Sequence, residues 1–272
     1  MADGPLTFTG ERLHAENTLF GIDLLRHRAA YQAAIRYAEA MEAPKVLELG
    51  SGTGYGTAEL AQALVDRPDI LNGSVLGVDR VAPLKANQRG PARFLQADLN
   101  ALPVTLKGFG LAVSFQVIEH LEDPTLYLQA LSNSLVENGL ALITTPNAAF
   151  SDGENPFHVR EYEAHELEAT LREHFHDVEM LGVSAQNDAL TYHEDRLARI
   201  RRIVRIDPLR LRDLLPTVIV EWLFGKFASL VRQDIDADER TSGVTIEDFP
   251  IEAAHARSID LMAVCRNPIS AV

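Results

Sequence analysis

The chain has 272 residues, 46% hydrophobic and 24% charged, with a mean hydropathy of −0.04. That composition excludes a disordered or fibrous protein and suffices for one large core or two small ones. Lys and Arg number 25 and Asp and Glu 39, so 25 − 39 = −14; an acidic surface repels phosphate backbones, and no nucleic-acid partner is expected.

In chain order, "MADGPLTFTGER" has neither the basic start nor the apolar core of a signal peptide. Residues 22–41 have helical periodicity, and Pro44 stops that helix. "KVLELG" predicts a strand, Thr57 to Asp66 a helix, and Ser74 to Asp79, Ala92 to Asp98 and Gly110 to Ile118 three more strands. A helix follows with Asp123 as N-cap, Pro124 in its first turn and Gly139 as its C-terminal stop. "LALITTP" predicts a strand, residues 161–175 a helix, and Asp177 to Val183 a sixth strand.

Two basic amphipathic helical stretches come next, "HEDRLARIRRIVRI" and "PLRLRDLLPTVIVEWLFGKFASLVRQ". Pro216, Glu221 and Lys226 interrupt the second, which falls short of the about 20 apolar residues of a membrane span. The basic face of Arg196, Arg199, Arg201, Arg202 and Arg205 could meet a nucleotide-sugar phosphate or a membrane surface, but reads better as the solvated side of an insertion helix. Ser258 to Arg266 returns to the strand pattern, with the single cysteine, Cys265, as a buried structural thiol. The expected fold is therefore α/β: a doubly wound, mostly parallel sheet of seven strands with a helical insertion before the last. The expected domains are 1–43, an N-terminal loop and cap helix; 44–185, the core; 186–256, the insertion; and 257–272, the final strand. A cytoplasmic protein is expected.

In "VLELGSGTGYG" the glycines fall at 50, 52, 54 and 56. A dinucleotide fingerprint starting at Gly50 needs glycine at position 55, which is Tyr55, and no Gly-Lys-Ser/Thr closes a P-loop. Glu48, two residues before Gly50, is placed by strand alternation to aim its carboxylate at the loop. A pyrophosphate there meets like charge; a ligand with an ammonium and a sulfonium is attracted. S-adenosylmethionine has both and no phosphate. Asp79, ending the second strand, suits the ribose hydroxyls, and Asp98 in "FLQADL" suits the adenine amino group. Val81 and Leu99 offer apolar walls.

Together "LELGSGTGYG", "GVDR", "FLQADLNALP", "FQVIEHLEDP" and "LITTPN" resemble the class I S-adenosylmethionine-dependent methyltransferases over Lys45 to about Asn147. The resemblance implies a Rossmann-like fold, S-adenosylmethionine as cofactor and S-adenosylhomocysteine as product. It also implies that Glu48, Gly50, Ser51, Gly52 and Gly54 line the methionine end. Asp79 and Arg80 would then border the ribose, Asp98 and Leu99 hold the adenine, and Gln116 close the sulfonium side.

A hydroxyl acceptor must lose a proton, which asks for a base near pH 7. His120, after the fourth strand, is the first candidate and His158 in "NPFHVREY" the second, with Glu119 orienting either one or acting itself. Each also reads as a structural group, His120 by bonding to backbone at a helix start. The other histidines (14, 27, 165, 174, 176, 193 and 255) read as lying on polar faces or loops without ligand spacing. "VIEHL" with a later histidine is also similar to the small-RNA 2′-O-methyltransferases, which use two glutamates and two histidines on a divalent ion. Gln116 replaces their first glutamate and the later histidine pair is not reproduced, so no metal is expected.

"FTGERL" and the tail from "RLARIRRIVRIDPLRLRDLLP" to "SIDLMAVCR" resemble bacterial methyltransferases of polysaccharide and sugar pathways, which implies a small-molecule or glycan hydroxyl as acceptor. The "EHL" region equally resembles quinone O-methyltransferases. A nicotinamide dehydrogenase is disfavoured by Tyr55 and Glu48, and a non-catalytic S-adenosylmethionine-binding module is a further reading. The insertion would serve as a lid, a homodimer interface or a membrane contact.

Overall fold

Near-continuous apolar runs such as those of Val46–Leu49 and Phe109–Phe115 dictate a sheet covered on both faces. The computed structural model describes residues 21–67, 69, 74–102, 106–153, 155, 157–204 and 242–269. Within them the chain runs α1 (Gly21–Glu39), β1 (Val46–Leu49), α2 (Tyr55–Leu64), β2 (Val75–Asp79), β3 (Arg93–Gln96), β4 (Phe109–Phe115) and α3 (Thr125–Ser134). It continues through β5 (Leu135–Pro146), α4 (Ala164–Arg172), β6 (Phe175–Val183), α5 (Asn187–Val204), β7 (Ile251–Ala253) and β8 (Asp260–Pro268).

These strands form one eight-stranded sheet in the order β3-β2-β1-β4-β5-β8-β6-β7. The pairs among β1 to β5 are parallel, while β8 runs antiparallel to both β5 and β6, and β7 antiparallel to β6. The order reverses at β1, which has β2 on one side and β4 on the other. At such a switch point the loops after two neighbouring strands diverge to opposite faces, and the crevice at their carboxyl ends is the ligand site of this architecture.

Successive residues feed opposite cores. Leu47 and Leu49 join Leu128, Leu131, Leu167, Leu171 and Cys265 on the α3/α4 face. Val46, Leu111 and Val113 join Tyr31, Leu60 and Leu64 on the α1/α2 face. Cys265 is buried as expected, and burial pushes its thiol up to about 12, leaving an inert thiol.

Three sequence expectations change. The sheet has eight strands, because the short edge strand β7 forms before the expected final strand. The helix after Pro124 ends at Ser134, not before Gly139. Leu135 is already in strand conformation opposite Phe109, and Gly139 sits inside β5, where an added Cβ would lie 2.8 Å from Leu135 Cβ. Finally, Arg196 is not on a solvated face: its guanidinium bonds the buried Asp23 of α1 at 3.0 Å, tying α5 to α1. The second basic helical stretch, with "FTGERL" and His14, lies outside the described residues. No helix among the described residues is long and apolar enough to cross a membrane.

Candidate active site

The loop after β1 is set by left-handed backbone at Gly50 (φ 84°), Gly52 (φ 52°) and Gly54 (φ 83°). An added Cβ at Gly50 would fall 2.2 Å from Val117 Cγ2, and one at Gly56 2.0 Å from the Tyr31 ring. Gly52 differs: among the described residues nothing lies within 4 Å of where its Cβ would be. The loop is therefore closed against protein at Gly50 and Gly56 and open over Gly52, a cradle that a side chain would fill. Ser51, the residue between, is buried, and its amide donates to the Val78 carbonyl at 3.1 Å.

Asp79, at the carboxyl end of β2, accepts from the Gly52 amide at 2.8 Å through Oδ2 and from the Val81 amide at 2.9 Å through Oδ1. One carboxylate thus fixes the edge of the glycine loop and the turn after β2, and each oxygen keeps a further lone pair. Arg80 is exposed, and its carbonyl accepts from the Gln96 amide at 3.0 Å. Asp98 is exposed and caps the turn at Leu99–Ala101, accepting from the Asn100 amide at 2.9 Å, while half-buried Leu99 packs on the α3/α4 core.

Glu48 corrects an expectation. Strand alternation aims it toward α1 and α2, where Glu48 Oε1 accepts from the Tyr31 hydroxyl and Oε2 from the Thr57 hydroxyl. It supports the loop from beneath and does not present a bare carboxylate to it. Burial pushes its carboxyl up to about 7, against the two hydroxyl bonds that favour the charged form. The unfolded chain loses this proton near pH 4.5 and the folded one near 7. Between those values the folded state binds more protons, so Glu48 makes stability fall as pH rises through that window. Urea denaturation at several pH values should therefore show a shallower fall for Glu48→Gln than for the wild type; equal slopes would mean that Glu48 folds in its charged form.

On the other side of the crevice, β4 is followed by Gln116 at φ 57°, then by Val117 and a single tight turn at Ile118–His120. The Gln116 amide donates to Thr144 Oγ1 at 3.4 Å, and its side chain also reaches buried Asp260, which Arg26 of α1 holds in an ion pair. Glu119 is fully buried. Its Oε2 accepts from the Thr145 hydroxyl at 3.0 Å, and its Oε1 has no hydrogen-bond partner among the described residues. Burial pushes this carboxyl up to about 8. The Glu119 carbonyl accepts from the amides of Val159 (2.8 Å) and Arg160 (3.2 Å), pinning residues 157–160 to this turn.

That pinning brings His158 beside His120, with ring centroids 5.2 Å apart. His120 Nδ1 donates to the Phe157 carbonyl at 2.8 Å and His158 Nδ1 to the Glu161 carboxylate at 2.7 Å. Because a carbonyl only accepts, the neutral His120 ring carries its lone pair on Nε2. All three acceptor-side candidates from the sequence thus meet. Tyr31, Thr57, Thr145 and Glu161, which orient them and Glu48, carry no local sequence signal, since three of the four bonds span 9 to 26 residues and the fourth pair is an unremarkable i,i+3 spacing. His27 and His193 do not lie on polar faces as expected; both are half-buried, and burial holds each imidazole down to about 3.

A family model described as a methyltransferase domain matches residues 24–196. The chain is 37% identical over 275 residues to a probable S-adenosylmethionine-dependent methyltransferase of Mycobacterium tuberculosis, covering 97% of this chain and 90% of the relative. It is 36% identical over 193 residues to another probable S-adenosylmethionine-dependent methyltransferase from Mycolicibacterium smegmatis, covering 65% and 68%. Among solved structures, one from Thermotoga maritima, described as a possible histamine N-methyltransferase, has a TM-score of 0.52 at 13% identity over 90% of this chain and 92% of its own. A putative methyltransferase solved in complex with the Haloferax volcanii Trm112 activator has a TM-score of 0.53 at 17% identity over 98% and 100%. These two establish the fold alone.

Proposed function

Because the chain belongs to the class I S-adenosylmethionine-dependent methyltransferases, we propose that it methylates a hydroxyl of a small molecule, a sugar or glycan intermediate, with His120 serving the loss of the hydroxyl proton. The observation that carries this reading is the meeting of Glu119, His120 and His158 at the end of β4, whose Val117 packs on Gly50 of the glycine loop. The open cradle at Gly52 beside Asp79 suits a ligand that has to approach the backbone closely. When bound, S-adenosylmethionine supplies an electrophilic methyl on a sulfonium.

The chain's own groups then divide the work. Gly50, Ser51, Gly52 and Gly54 shape the seat for the amino-acid end, with Glu48 adding negative charge beneath it when ionised. Asp79 offers its remaining lone pairs to ribose hydroxyls, with Arg80 at its border. Asp98 and Leu99 hold the adenine, and Gln116 closes the opposite wall. His120 Nε2 meets the hydroxyl proton, while His158 and Glu119 orient that group and exclude water from one side. The stretch inserted between β6 and β7, of which α5 is described, is assigned to a cap beside this mouth, and a cytoplasmic location and a homodimer built through the cap belong to the same reading.

The "EHL" region supports a second reading, a quinone or phenol acceptor, and the two are separable. With methyl-labelled cofactor offered nucleotide sugars, glycans and catechols, the label is expected on a sugar oxygen. Label on catechol alone would move the assignment to the phenol class, and cofactor binding without transfer to any acceptor would leave a binding module.

A further inference from the structure

We propose that Asp23, Arg26, His193, Arg196 and Asp260 form a sugar-binding site that holds the non-reacting hydroxyls of a neutral glycosyl acceptor. The inference rests on the reading of the mouth after β4 as the acceptor side, and it names the class of acceptor that this mouth takes. The set starts at the crevice wall. Gln116, the residue after β4, reaches Asp260 with its side chain, and Arg26 of α1 pairs with the same carboxylate. Asp260 opens β8 opposite Pro146 and Val183, the last residues of β5 and β6, so it stands in line with their carboxyl ends. From there the contacts cross α1 to α5. Arg26 lies 3.7 Å from Asp23 in an ion pair, and Arg196 donates to Asp23 at 3.0 Å.

Stability does not account for these four charges. A buried ion pair is about neutral against apolar packing of the same volume, because desolvation offsets the attraction. Asp23 and Asp260 are buried, and the side chains of Arg26 and Arg196 are only 14% and 26% exposed. What such pairs do supply is fixed planar groups. A guanidinium has several N–H donors, more than one aspartate uses, and a carboxylate has several lone pairs. A sugar hydroxyl both donates and accepts, so donors and acceptors held side by side are its complement. Two arginines and two aspartates cancel in charge, which selects an uncharged ligand: a phosphate or carboxylate would face both aspartates as well as the arginines.

An independent observation comes from His193 of α5. Its Nε2 is buried and has no hydrogen-bond partner among the described residues. The bond from this ring to the Phe150 backbone favours the protonated nitrogen, so it is an N–H donated to a carbonyl, and Nδ1 makes it. Burial holds the imidazole down to about 3, with Arg196 and Arg26 adding to the effect, so the ring is neutral and Nε2 keeps its lone pair. A buried acceptor without a donor is an uncompensated desolvation. A ligand hydroxyl relieves it by donating to Nε2, while the guanidiniums whose charge acts on this ring donate to the hydroxyl oxygen.

The test offers neutral methyl glycosides, methyl glucuronides and catechol to the full chain. Labelled methyl transfer is measured beside direct calorimetric binding to the S-adenosylhomocysteine complex. His193→Asn keeps an amide to donate to the Phe150 carbonyl and removes only the unpartnered Nε2. Arg196→Lys keeps the charge opposite Asp23 and removes the planar fork. The KM for the neutral glycoside is expected to rise about 2–10-fold in His193→Asn and about ten-fold in Arg196→Lys, with kcat and S-adenosylhomocysteine affinity unchanged. His165→Ala on the exposed face of α4 should alter none of these. Wild-type KM in both variants would overturn the site, as would a preference for glucuronides or a wild-type complex that binds no glycoside. A neutral glycoside that binds, needs His193 and takes no label would uphold the site and remove the hydroxyl-methylation reading. Label on a sugar oxygen with a KM that neither variant moves would do the reverse.

Discussion

Gly52→Ala is expected to abolish cofactor binding while leaving the protein folded. Among the described residues the added Cβ meets no atom beyond its chain neighbours within 4 Å, so the internal penalty is left-handed backbone at φ 52°. That penalty is roughly 1–2 kcal/mol for a non-glycine residue. In a chain of this size each kcal/mol moves the melting temperature by about 2–4 °C. The methyl group would instead occupy the cradle beside the Gly52 amide that Asp79 holds, where a ligand has to come closest. Gly50→Ala and Gly56→Ala make the contrast. Their Cβ atoms would collide with Val117 and with the Tyr31 ring, so both should lose stability as well as binding. Calorimetry with S-adenosylhomocysteine alongside thermal melts measures both quantities. Full affinity in Gly52→Ala would show that no ligand approaches that position.

His120→Ala is expected to lower the rate of methyl transfer by about 10²–10⁴-fold with cofactor affinity unchanged. The side chain is exposed and lies outside the buried core, so its loss should leave the fold intact. Two further readouts separate a role in proton loss from a structural one. The defect should shrink at high pH, where the acceptor hydroxyl ionises unaided, and added imidazole should restore part of the rate. An unchanged rate on the acceptor that takes the label would remove His120 from the chemistry.

The glycine loop and the acids that end β2 and follow β3 are largely legible in the sequence. Alternating glycines after an apolar run, and acids at the ends of β2 and β3, are local patterns whose meaning does not depend on the rest of the chain. Position 55 is the clearest case, because one residue separates this loop from a dinucleotide fingerprint. What was illegible depends on pairing at long range. Leu135 belongs to β5 because Phe109 lies opposite it; its own neighbours, "LQALSNSLVEN", favour helix. β7 is three residues long at the sheet edge, too short to carry a period. Glu48 reads as a ligand-facing acid until Tyr31 and Thr57 take its oxygens, and Arg196 as a solvated charge until Asp23, 173 residues away, pairs with it. On the acceptor side the residue types were visible but their assembly was not. The Glu119 carbonyl, through Val159 and Arg160, brings His158 to His120.

The proposed cofactor seat is the crevice at the carboxyl ends of β1, β2 and β4, with Asp79 holding the ribose. Calorimetric titration of S-adenosylhomocysteine into the wild type and Asp79→Ala tests it most directly, with NAD as the competing ligand. The variant should bind about 10–100-fold more weakly, the loss expected when a charged hydrogen-bond acceptor is removed, and NAD should bind neither protein. Unchanged affinity in Asp79→Ala, or tight binding of NAD to the wild type, would contradict it.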